Sequence, residues 1–148
     1  MTLEEIKVWA DYVKDKNHNW PSILDDKEHM LHWTGRLYIA RALFKDYQEY
    51  DGAYVIMKEI YLDNEIRYSN DLFGSYEEYM EDKVTFFKDM AELTYIVTQE
   101  AARSIPFIDE ALIMLDSSES VGPYIDEKEY ERLKASYLEK AKEEQDKV

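Results

Sequence analysis

The chain contains no cysteine. Disulfides, zinc–thiolate sites, iron–sulfur clusters and a cysteine nucleophile are therefore excluded. Glycine and proline are scarce, at four and three residues. A β-sandwich or barrel turns too often for so few turn formers. The glycines Gly35, Gly52, Gly74 and Gly122 stand apart, so no glycine-rich phosphate loop is present. No apolar run approaches the ~18 residues that a membrane span needs. The opening MTLEEIKVWADYVKDK lacks the basic leader and apolar run of a signal peptide. The expected location is therefore cytoplasmic.

What remains is acid, tyrosine and helical periodicity. The 148 residues are 45% hydrophobic and include 13 tyrosines, enough for one domain over residues 1–148 with a sizeable core. The net charge is −15. Residues 1–45 balance seven acids against seven bases, whereas residues 46–92 carry thirteen acids and four bases. Such a middle repels nucleic acid and anionic lipid. It favours solubility and a basic protein or peptide partner.

No two-residue period appears, and the expected fold is all-α, a helical bundle or array of antiparallel pairs with five to seven helices. Thr2 with Glu5 predicts a capped first helix. Met30, Trp33, Leu37, Ala40, Phe44 and Tyr47 mark one face of a helix over about 26–48. The break is expected at Tyr50-Asp51-Gly52, followed by a stripe of Tyr50, Ala53, Met57 and Ile60. A central helix carries Met80, Val84, Phe87 and Ala91, with a second stripe of Phe86, Met90, Leu93 and Val97. It ends either near Thr98–Gln99, with Pro106 inside the next helix, or at Ser104 as an N-cap. Asp126 with Glu129 predicts the start of a C-terminal helix (126–148), whose tail is expected to fray after Ala141.

Leu37, Ala40 and Phe44, followed by Tyr50, Ala53, Met57 and Ile60, resemble a tetratricopeptide-repeat helical hairpin. A weaker copy lies at Ala91, Tyr95, Ala101, Ser104, Ile108 and Ala111, offset by 51 residues rather than the family's roughly 34. Arg41 stands where the family has a small residue, and no proline closes the unit. The resemblance implies peptide or protein binding in a groove, not catalysis.

Two clusters could carry function. Asp26, Glu28, His29 and His32 have ligand-type spacing on one helix face. A di-metal bundle would need a second such helix, and no other helix supplies histidine. Tyr38, Arg41 and Lys45, with Thr34, form a basic stripe that could anchor a partner's carboxylate. Tyr47, Tyr50 and Tyr54 begin a tyrosine run through Tyr61, Tyr68, Tyr76 and Tyr79 in the acidic block. Arginine pairs with carboxylates and stacks on such rings. Ser117, Ser118 and Ser120 have no neighbouring histidine, and no nucleophile elbow occurs. The expected function is a small acidic protein- or peptide-binding module without cofactor, of inhibitor, immunity or regulatory type. The alternative is a metal-binding bundle or enzyme using the Asp26/Glu28/His29/His32 cluster.

Overall fold

Six α-helices and no strand occur among the residues that the computed structural model describes, which are 2–13, 33–62, 76–117 and 125–146. The chain is all-α, in agreement with its periodicity. It divides into two compact units, residues 1–67 and 68–148.

The first unit contains α1 (Leu3–Val13), α2 (Trp33–Arg41) and α3 (Tyr50–Leu62). The Glu5 N–H donates to Thr2 Oγ1 at 3.2 Å, so the predicted cap of α1 forms. Ile6 of α1 is buried, as are Leu37, Ile39 and Ala40 of α2 and Ala53, Ile56, Met57 and Ile60 of α3. At about 1.5–3 kcal/mol for each large apolar side chain, this burial outweighs the weak intrinsic preference of short helices.

α2 continues into a π-helical turn, Ala42–Asp46. The wider turn brings consecutive side chains closer in azimuth, and Ala42, Leu43 and Phe44 are all buried. The chain reverses at Gln48, which takes a left-handed conformation with φ 55. The Glu49 N–H donates to Leu43 O at 2.8 Å, one residue further back than in an ordinary Schellman ending, because the π turn adds a residue. This corrects the expected break: Tyr50, Asp51 and Gly52 form the first turn of α3. A Cβ on Gly52 would stand 3.6 Å from Leu43 Cδ1, an ordinary contact, so no glycine is demanded there.

The second unit contains α4 (Tyr76–Thr98), α5 (Ala101–Ser117) and α6 (Glu127–Asp146). Both expected stripes of α4 are covered. Met80, Val84, Phe87 and Ala91 are buried on one, and Phe86, Met90 and Leu93 on the other, where Val97 is half-buried. The helix ends at Thr98, and Pro106 lies inside α5. Ser104 is not a cap. It is fully buried, and its hydroxyl donates to Ala91 O across the α4–α5 contact at 2.6 Å. The Ala101 N–H at the start of α5 donates to the Glu144 carboxylate at 2.9 Å. That bond explains why the tail expected to fray is helical to Asp146. Asp126 caps α6 by accepting from the Lys128 N–H at 3.1 Å, while the Glu129 carboxylate turns to Lys88 Nζ at 2.7 Å.

The α4–α5 turn shares the left-handed glutamine of the α2–α3 turn but follows an ordinary α-helical end, where the Gln99 N–H donates to Tyr95 O at 2.8 Å. Gln99 stands 51 residues after Gln48, with φ 58 against 55. Each glutamine amide donates to a last-turn carbonyl, Lys45 O at 3.1 Å and Ile96 O at 2.9 Å. At the same offset Ala40 and Ala91, Ala53 and Ser104, Met57 and Ile108, and Ile60 and Ala111 are all buried. Left-handed backbone costs a residue with a Cβ about 1 kcal/mol, and an exposed amide–carbonyl bond returns about half of that. Gln99→Gly is therefore expected to stabilise by about 0.5 kcal/mol, and Gln99→Val to destabilise by about 1–2 kcal/mol. Urea midpoints measured at unchanged slope would show that ordering, and a stabilising valine would contradict it.

Candidate functional site

The sequence candidates in the first unit are not equivalent in the structure. On α2, Tyr38 projects into solvent at 55% exposure, and Arg41 is half-buried. Lys45 lies in the π turn, exposed, with its ammonium 4.1 Å from the centre of the Phe44 ring. Tyr47, Tyr50 and Tyr54 are half-buried. Tyr50 meets Phe44 edge-on at 5.9 Å, and Lys58 stands over the Tyr54 ring at 5.6 Å. These three rings therefore cover the α2–α3 core while keeping a wet edge. Tyr61 and Tyr76 are exposed, and Tyr79 is buried. Val55, Tyr61 and Leu62 add exposed apolar surface to α3.

Asp26, Glu28, His29 and His32 lie outside the described residues, as does Tyr68. Among the described residues no group of three or more histidines or carboxylates is arranged to hold a metal ion. No helix among them is long and apolar enough to cross a membrane.

Two features were not singled out from the sequence. Arg36 is 1% exposed, and its guanidinium faces Glu59 Oε1 of α3 at 3.6 Å. Its signal was its place between Trp33 and Leu37 on the apolar stripe, where a solvated arginine does not belong.

The second is a groove of about 530 Å³ between α5 and α6. Leu112, Ile113, Ala135 and Leu138 line it. Ile113 and Leu138 are 59% and 48% exposed, so the apolar lining faces water. Lys134 Nζ forms an ion pair with Asp109 Oδ1 across the two helices at 2.7 Å. Asp116 and Glu131 also line the groove, and Glu127 interacts with Asp116 where α6 begins. The Asp116 side-chain hydrogen bond, then desolvation, then the charges of Asp116 and Glu131, push the Glu127 carboxyl above its ordinary range. The signal was two apolar residues lying off the buried stripes of their helices.

On the opposite edge of α6, Lys88 joins Glu129 at 2.7 Å and Glu92 at 3.6 Å. Burial pulls its ammonium down, but the Glu129 hydrogen bond and the charges of Glu92, Glu129 and Asp89 outweigh this and raise it. Burial raises the Tyr137 hydroxyl, helped by the charge of Glu92 and by Tyr95, whose ring lies 5.9 Å away. These groups hold α6 to α4 and show no reactive arrangement. No protein-family model, curated protein or solved structure matches the chain.

Proposed function

We propose that the protein is a small acidic binding module that acts by equilibrium association with a basic protein or peptide. An inhibitor or immunity-type protein that covers a basic toxin or nucleic-acid-binding protein is the concrete form. The observation that carries this reading is exposed apolar and aromatic surface on a chain of charge −15. Tyr38 at 55%, Tyr61 at 42% and Leu62 at 66% exposure stand on α2 and α3, in a chain whose residues 46–92 carry thirteen acids against four bases. Rings and carboxylates together suit arginine, which stacks on the first and pairs with the second. The two hairpins at a 51-residue offset each resemble the helix pair of a tetratricopeptide repeat, whose hairpins bind peptides.

The test is capture from the source cell's lysate at low salt and at about 1 M salt, where screening shortens the Debye length to about 3 Å. One protein of basic charge is expected to be retained at low salt and shed at high salt. Glu49→Lys with Asp51→Lys should weaken capture, while Arg41→Glu should not. Retention of nothing in either buffer would overturn the reading. A partner that survives high salt and is lost in Tyr38→Ala would replace charge by apolar packing as the basis of binding.

A further inference from the structure

The groove between α5 and α6 combines apolar lining with acids that no described cation answers. Asp109 is neutralised by Lys134. No ion pair to Asp116, Glu127 or Glu131 occurs among the described residues. Asp109 and Asp116 are seven residues apart on α5, so at ~1.5 Å rise per residue the groove is about 10 Å long, close to two helical turns. Its walls are helices, and it offers no strand edge for a peptide to extend. A helix, which satisfies its own backbone, suits such a groove.

We infer that this groove docks a short amphipathic helix of a partner protein. Two apolar side chains one turn apart pack on Ile113 and Leu138, and a lysine or arginine on the adjoining turn reaches Asp116, Glu127 and Glu131. The charge pattern selects this occupant. A second copy of the chain brings the same net charge of −15 against the same three acids, whereas a basic helix relieves their repulsion. Screening by salt therefore weakens the docked helix without abolishing it, because the apolar contacts persist. The inference rests on the basic-partner reading above, and adds to it a surface and a helical shape.

The test uses the full chain, labelled with ¹⁵N, and three synthetic peptides. The first is a helix with leucines at i and i+4 and lysines on the next turn. The second has the same composition in scrambled order, and the third replaces its leucines by serine. Titration of the first peptide is expected to shift the amides of Leu112, Ile113, Ala135 and Leu138. The scrambled and serine peptides should bind at least about tenfold more weakly, as should the first peptide to Ile113→Glu or Leu138→Glu. Both side chains already face water, and an unchanged circular dichroism spectrum would verify the fold. Asp116→Lys with Glu131→Lys should weaken binding severalfold at low salt and little at high salt.

Equal affinity of the serine peptide would show charge alone at work and overturn the groove. Shifts confined to residues of α2 and α3 would also overturn it, while leaving the basic-partner reading standing. Absence of binding by any peptide would overturn the groove and leave the capture experiment to decide the broader reading. Concentration-dependent shifts of the groove amides without peptide would assign the surface to a second copy instead.

Discussion

Glu59→Leu is expected to destabilise the protein by about 3–5 kcal/mol, the cost of breaking a buried ion pair by removing one partner. The reason lies in the asymmetry of its pair with Arg36. The arginine is 1% exposed and the glutamate 27%. When Glu59 is removed, Arg36 keeps its charge, since no accessible pH deprotonates a guanidinium, and it cannot swing out to water. When Arg36 is replaced by methionine, Glu59 can turn outward and recover hydration. Arg36→Met is therefore expected to cost less, about 1–2 kcal/mol, and the double variant Arg36→Met/Glu59→Leu less than Glu59→Leu alone. Urea unfolding followed by far-UV circular dichroism would check the order. A Glu59→Leu variant as stable as the parent would show that the ion pair adds nothing to the α2–α3 contact.

Phe86→Ala is expected to cost about 3–5 kcal/mol, a large part of the roughly 5–15 kcal/mol that holds a domain folded. Phe86 is fully buried, and its ring meets Phe87 edge-on at 5.4 Å. Truncation removes the transfer energy of the ring and opens a cavity within rigid helices that cannot collapse into it. Phe86→Leu fills most of the space and should cost about 1–2 kcal/mol. The cavity should also loosen amides on α4 near Phe86 more than exposed amides at the end of α6, read by hydrogen exchange. A loss below about 1 kcal/mol for Phe86→Ala would remove Phe86 from the core.

The helices were legible because their apolar spacing is a local property. Leu37, Ala40, Phe44, Met57 and Ile60 recur at three and four, and each of them is buried. The two-sided pattern of α4 was legible for the same reason. Turn positions were less so. Gly52 invited a break, but a glycine tolerates helix as well as turn, and the reversal uses Gln48. Glutamine in a left-handed conformation has no composition signal. Only its repetition at Gln99 makes it visible, and that requires both turns to be seen. Of the candidate stripe, Tyr38 and Lys45 are exposed. Whether Arg41, Tyr47, Tyr50 and Tyr54 face water depended on how α3 packs against α2, and all four are half-buried.

By itself, then, the sequence determined the helical class, the acidic charge, the absence of thiol chemistry and most of the two buried stripes of α4. Each follows from composition or from a period of three to four residues. The tertiary structure alone decided that Ser104 bonds Ala91 rather than capping a helix, that Glu144 holds the start of α5, and that Arg36 is buried against Glu59. It alone decided that Ile113 and Leu138 share a groove with Asp116 and Glu131. These pairs lie 13 to 43 residues apart in the chain, and no local pattern records which distant side chain will meet a given one.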